Sequence, residues 1–203
     1  MPKKKTKKKE IIQNDSFIFI MLLATISILA VSLKDYTFSI GGIDIIFSIF
    51  VIPFILFISD YITKKYGFKE TLYGILVSSL IIVTFLVLIK DLTNQKVIVL
   101  ELLGYFFSYF ISMLINLSIY YYIILNFKSN VILIYINYVF SLIINHLMYL
   151  IFLHNMIMTD NFWKSYFISI IIEMIISICL VFIDNKIERG IEKKKTKRKK
   201  AEK

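Results

Sequence analysis

Cysteine is almost missing from this chain: Cys179 is alone among 203 residues, which excludes a disulfide framework and a thiolate metal site. Proline and glycine are scarce too, at 2 and 6, so few positions can break a long helix or shape a tight turn. The two histidines, His146 and His154, are eight apart, and no carboxylate or cysteine stands at ligand spacing to either, so no metal site is expected. There is no Ser/His/Asp arrangement, no glycine-rich phosphate loop and no pair of catalytic acids. The chain therefore reads as a non-enzyme that uses no cofactor.

What is present is apolar length. Hydrophobic residues make up 58% and the mean hydropathy is +0.77, against roughly 45–50% apolar residues in a soluble domain. Set against the ~20 residues needed to cross a bilayer, the apolar runs predict six spans: Phe17–Leu33, Ile43–Ile62, Leu72–Ile89, Val97–Leu125, Val131–Leu153 and Phe162–Ile183. The fold class is an all-α polytopic membrane protein of six transmembrane helices, with short loops that make consecutive helices antiparallel neighbours. Residues 1–16 form a basic N-terminal tail, 17–183 the membrane domain and 184–203 a basic C-terminal tail. The first run resembles a signal peptide but lacks a small-x-small cleavage site, so it is expected to stay as a helix.

The net charge of +10 is concentrated in those tails, with Lys3, Lys4, Lys5, Lys7, Lys8 and Lys9 at one end and Lys186–Lys203 at the other. Lysine beside a span holds that end on the cytoplasmic side, so an even number of spans with both termini cytoplasmic is expected. The loops carry less: Lys34 and Asp35 cancel, Lys64, Lys65 and Lys69 outweigh Glu70, Lys90, Asp91 and Lys96 follow, then Lys128, then Asp160 and Lys164. No aromatic or fold signature of nucleic-acid binding accompanies the lysines, which leaves membrane lipid as their partner. Abundant Lys, Ile, Phe, Tyr and Asn with almost no Ala suggest an AT-rich bacterial genome, and hence a bacterial plasma membrane.

Chemistry-bearing residues inside the spans are few. Pro53 and Asp60 lie seven apart on nearly one face of the second span, and an acid in hydrocarbon costs ~3 kcal/mol or more. That face is expected to look into protein or a water-filled cavity; the bland alternative puts Asp60 at a helix end, paired with Lys64. Ser112 and Asn116 in the fourth span, and Ser141 and Asn145 in the fifth, repeat a Ser-x-x-x-Asn spacing and are expected to line one cavity from opposite sides. Their alternative role is interhelical hydrogen bonding, worth ~0.6 kcal/mol each. Glu101 lies near the start of the fourth span and Glu173 near the middle of the sixth. Tyr109 and Tyr149 lie deep enough to stack on a planar ligand, while Tyr120, Tyr121, Tyr122 and Trp163 read as interfacial anchors.

The segment from Phe50 through Pro53, Asp60, Thr63, Tyr66 and Gly67 to Lys69 resembles the vitamin uptake transporter family, whose characterised members import queuosine precursors. Gly41-Gly42 is similar to that family's loop before the second helix. Weaker likenesses follow in Ser108-Tyr109-Phe-Ile-Ser112-Met113-Leu-Ile-Asn116 and in Ser141-Leu142-Ile-Ile-Asn145. The chain departs from the pattern where Lys64 replaces a glutamate, Met113 and Leu142 replace glutamines, and Asn145 replaces an aspartate. The resemblance implies a transporter of a deazaguanine-type base, with Tyr109 or Tyr149 stacking on the ring and Asn116, Asn145, Ser112 and Ser141 bonding its edge. Asp60 would gate or couple to a proton, and Pro53 and Gly67 would mark helix breaks. Two other functions fit the composition: the substrate-binding component of an energy-coupling-factor vitamin importer, or a non-transporting scaffold. The former docks through an Ala-x-x-x-Ala face on its first helix, whereas Ala24 and Ala30 here are six apart. A homo-oligomer is compatible with either architecture.

Overall fold

The structure is a computed structural model that describes residues 3–33, 36–93, 99–127, 130–157 and 162–201. The loop charges at Lys34, Asp35, Lys96, Lys128 and Asp160 lie outside them, as do the side chains of Glu101, Tyr149 and His154. Helix α1 (Lys3–Ser32) leads into a hairpin of β1 (Thr37–Ile40) and β2 (Ile43–Ile46), then a short 3-10 helix (Phe47–Phe50). Helices α2 (Ile52–Tyr66), α3 (Phe68–Leu92), α4 (Val99–Phe127), α5 (Val131–Ile157) and α6 (Phe162–Ala201) follow. Among the described residues, six segments are long and apolar enough to cross a membrane, from Asp15–Ser32 to Trp163–Lys186. The chain is a multi-pass, all-α membrane protein. Its first and last helices run on without a break into the basic tails.

The side chains are arranged for lipid rather than water. On α6, Phe167, Ile171, Ile175 and Phe182 are exposed, while Ser169, Glu173, Ser177 and Asp184 on the opposite face are buried. Lipid tails are as apolar as leucine, so packing and interhelical polar contacts must hold such helices together. Small residues allow the closest approach: Gly74 on α3 faces α1, and a Cβ there would meet Ile20 Cγ1 at 3.2 Å. Lys65 in the last turn of α2 places Nζ 4.9 Å from the Phe19 ring centre, and Phe19 packs on Tyr61 at 4.9 Å, stapling α1 to α2. The lysines of that last turn also suit the negative end of the helix dipole.

Each helix packs on the next in the chain, and α2 also reaches α4, α5 and α6. It is the central helix of the bundle, which is why Ser59, Asp60 and Ile62 all have 0% exposure. Alternating spans put the hairpin, the last turns of α3 and α5 and the first turns of α4 and α6 on one side of the bundle, and Gly67, the last turn of α4 and the first turn of α5 on the other. Two contacts fit this arrangement: Ser165 at the start of α6 donates to the Asp44 carbonyl of β2, and Lys64 at the end of α2 pairs with Asp184 late in α6.

Two expectations are corrected here. The second span does not begin as helix at Ile43, because Ile43–Ile46 pairs antiparallel with Thr37–Ile40 in a hairpin. Its two-residue turn is Gly41-Gly42 with φ of 58° and 81°, a primed turn that glycine takes without strain, flanked by β-branched residues. Pro53 is also not a mid-helix kink, since it sits in the first turn of α2, where its missing N–H breaks no bond. The discontinuity falls just before it, at Val51, between the 3-10 helix and α2. The 15 residues of α2 alone reach only about 22 Å, so the 3-10 helix completes the crossing. Gly67 joins α2 to α3 with φ 99° and ψ 175°, a conformation essentially reserved for glycine.

Candidate functional site

Asp60 is fully buried at the bundle axis, eight residues into α2, and not at a helix end. Its Oδ1 accepts a hydrogen bond from Asn116 Nδ2 of α4 at 2.7 Å. Asn116 Oδ1 in turn accepts from Asn137 Nδ2 of α5 at 2.7 Å and from the Ser141 hydroxyl at 3.4 Å. Three helices are thus joined through one amide. The bland pairing of Asp60 with Lys64 is not formed, because Lys64 Nζ sits 2.8 Å from Asp184 Oδ2, which Tyr120 also approaches at 3.4 Å. Asp60 Oδ2, Asn137 Oδ1 and Ser59 Oγ have no hydrogen-bond partner, and the Tyr138 hydroxyl lies close to Asp60 but outside hydrogen-bond geometry. Unpaired buried oxygen around an acid is costly, and such costs persist where function needs them.

On the hairpin side of this network lies a cavity of about 370 Å³. Tyr105, Ser108, Tyr109, Ser112 and Met113 of α4 form one wall, and Ser141, Leu142, Asn145 and His146 of α5 another. The 3-10 helix, α1, the hairpin with Asp44, the first turns of α2, Ile82 of α3 and Ser165, Tyr166 and Ser169 of α6 contribute the rest. Of the residues singled out from sequence, Tyr109, Ser112, Ser141 and Asn145 border this one space. Asn116 and Asp60 do not; they sit behind it as the polar network that closes the terminal side. Pro53 and Gly67 are not among its lining residues, although Ile52 beside Pro53 is, and the Tyr149 side chain is outside the described residues. The Tyr109 hydroxyl lies 2.9 Å from Ser27 Oγ and 2.7 Å from Ser78 Oγ, which fixes its ring between α1 and α3. Met113 and Leu142, where the family pattern has glutamines, both border the cavity and make those stretches of its wall apolar.

Three groups in this region were not anticipated in these roles. Asn137 continues the four-residue spacing of Ser141 and Asn145 along α5, a readable signal. His146, weighed only as a metal ligand, sits on the cavity wall with Nε2 2.7 Å from Glu173 Oε2 of α6. Tyr120 is not an interfacial anchor but has 0% exposure beside Asp184; Tyr121, Tyr122 and Trp163 are exposed. Among the described residues no cluster of three His, Cys, Asp or Glu side chains is placed to hold a metal ion. Polar groups therefore follow one another down the axis: the cavity with His146–Glu173, then Asp60–Asn116–Asn137, then Lys64–Asp184. Compared with known proteins, the chain matches no protein-family model, no curated protein and no solved structure.

Proposed function

We propose that this chain is a secondary transporter that imports a small planar metabolite, with a queuosine precursor of the deazaguanine type, cyano-deazaguanine or queuine, as the first substrate to test. The observation that carries the reading is a cavity of about 370 Å³ on one side of the bundle, backed on the other side by two layers of buried polar contacts. That is the asymmetry of a carrier resting open to one face, and the volume lies within the range of small-molecule sites. Among the described residues the cavity lining contains Asp44 and no lysine or arginine, which suits a neutral base better than a carboxylated vitamin. Asn145, Ser112 and Ser141 offer hydrogen bonds to a base edge, and the tyrosine rings of α4 offer a stacking face. The residue usage favours a bacterial plasma membrane and the basic tails favour cytoplasmic termini, so the cavity would open outward.

The importer-component alternative is weaker, because Ala24 and Ala30 are both buried within this chain instead of forming an external docking face. A scaffold has no use for an interior cavity backed by a fully buried acid.

Purified protein screened side by side against deazapurines and vitamins should bind the neutral bases. Binding confined to carboxylated vitamins would overturn the substrate class. With the exposed Cys179 changed to Ser, Asn145→Cys should react with an impermeant thiol reagent and be protected by bound base, whereas Asn116→Cys should stay unreactive. If Asn145→Cys is inert while Tyr36→Cys labels at the exposed hairpin, the cavity is not open to water and the reading fails.

A further inference from the structure

The sequence gives α6 a stripe of inward polar residues: Ser165, Ser169, Glu173, Ser177 and Asp184 fall within about 120° of one another around the helix. Ser169, Glu173, Ser177 and Asp184 are 5%, 0%, 0% and 1% exposed. An apolar helix in lipid needs none of them. Glu173 lies near the middle of the span, and its described partner is His146, at 2.7 Å. The other oxygen, Oε1, has no hydrogen-bond partner, nor has Ser177 Oγ one turn further along. His146 stands between this carboxylate and the cavity: its side chain is 14% exposed and borders the cavity, whereas Glu173 does not.

We propose that His146 and Glu173 form the proton-loading site of this transporter, taking a proton from the cavity in step with substrate; the proposal rests on the transport reading above. A carboxylate can only accept, so with Glu173 ionised it is Nε2–H that donates across the 2.7 Å contact. Nδ1 is then the basic atom of the imidazole. A proton arriving from the cavity binds Nδ1 and gives an imidazolium against a carboxylate, a pair with no net charge. Loss of that proton restores neutral imidazole and leaves one buried negative charge. The unloaded state carries one net charge and so needs water on one side of the bundle or the other, whereas the loaded pair does not. The neutral loaded pair is the form able to pass through a closed intermediate, which ties proton movement to the conformational cycle.

Other titratable groups surround the pair. The Tyr166 ring stands edge-on to the imidazole at 5.2 Å. Tyr105 and Tyr109 of α4 and Asp44 of the hairpin share the cavity wall. Asp60 and Lys64 of α2 and Asp184 of α6 lie further toward the terminal side, and Lys64 and Asp184 neutralise each other. Of these, Tyr166 contacts the imidazole and also lies within electrostatic reach of the Glu173 carboxylate.

The site is tested without any substrate by nitrogen-15 NMR of histidine-labelled full-length protein in nanodiscs. His154→Gln leaves His146 as the reporting imidazole. Adding Glu173→Gln, which keeps the size and a hydrogen-bonding group, should weaken proton binding at His146 tenfold or more; an unchanged titration overturns the proposal. In proteoliposomes supplied with cyano-deazaguanine, an acidic exterior should drive accumulation by the wild type. Glu173→Gln should lose accumulation yet keep equilibrium exchange of labelled base. An unchanged gradient response, or joint loss of exchange and accumulation, overturns a coupling role. If the wild type takes up no base at all, it is the substrate reading that falls, and the histidine titration still decides the proton site.

Discussion

Replacing Asp60 with asparagine separates a functional acid from a structural one, because here the two roles predict opposite signs. Oδ1 accepts from Asn116 at 2.7 Å, Oδ2 has no hydrogen bond, and the nearest lysine in the chain is engaged by Asp184 at 2.8 Å. Asparagine keeps an Oδ1 acceptor in the same place. The loss is therefore the difference between a charged and a neutral hydrogen bond, about 1 kcal/mol. For an ionised Asp60 the gain is relief of a fully buried charge, whose desolvation costs several kcal/mol, and for a protonated one both terms fall toward zero. The net expectation is unchanged stability or a gain of roughly 1–3 kcal/mol, together with loss of uptake. Asp60→Leu relieves the same charge but strands the Asn116 amide, so it should be about 1–3 kcal/mol less stable than Asp60→Asn. Thermal and SDS unfolding of purified protein in detergent reads both variants, and uptake of labelled queuine into cells reads function. If Asp60→Asn destabilises the protein by more than about 1 kcal/mol, Oδ2 makes a structural contact and the reasoning is wrong. Normal uptake by that variant would reduce Asp60 to a packing residue.

Two further outcomes follow from the geometry. Lys64→Met strands Asp184, which is 1% exposed, and should cost about 3 kcal/mol; Lys64→Asp with Asp184→Lys should recover most of it, and no difference between single and double variants in unfolding would show that the pair is not coupled. Gly67→Ala forces a side chain into φ 99°, so a loss of about 1–3 kcal/mol in the same assay is expected, and unaltered stability would mean that the α2–α3 corner relaxes freely.

The six spans were readable because apolar length is a one-dimensional property, although the apolar run places the second too early along the chain. The four-residue Ser–Asn spacing likewise marks an inward face without help from structure. What the sequence does not carry is axial register between helices. Asn116 and Asn145 look equivalent in their own spans, yet one bonds Asp60 and the other borders the cavity, because α4 and α5 run in opposite directions. The same missing register hides the meeting of His146 with Glu173 and of Lys64 with Asp184, 120 residues away. The hairpin escaped for another reason. Its apolar strand, Ile43–Ile46, runs straight into the next span, and only Gly41-Gly42 marks the turn.

The single-residue corner at Gly67 has a mechanical consequence. The Thr63 hydroxyl reaches Thr71 Oγ1 at 3.0 Å across it, and Gly67 N–H bonds the Thr63 carbonyl at 3.0 Å, so the last turn of α2 is braced against the first of α3. With so short a join the two helices form a bent lever instead of two independent rods. Ile82 of α3 borders the cavity, fifteen residues or about 22 Å from the corner. A tilt of about 10° in α2 would sweep Ile82 through about 4 Å, more than the width of a water molecule, while the corner itself hardly moves. A displacement too small to break any contact near Asp60 would thus arrive at the cavity magnified.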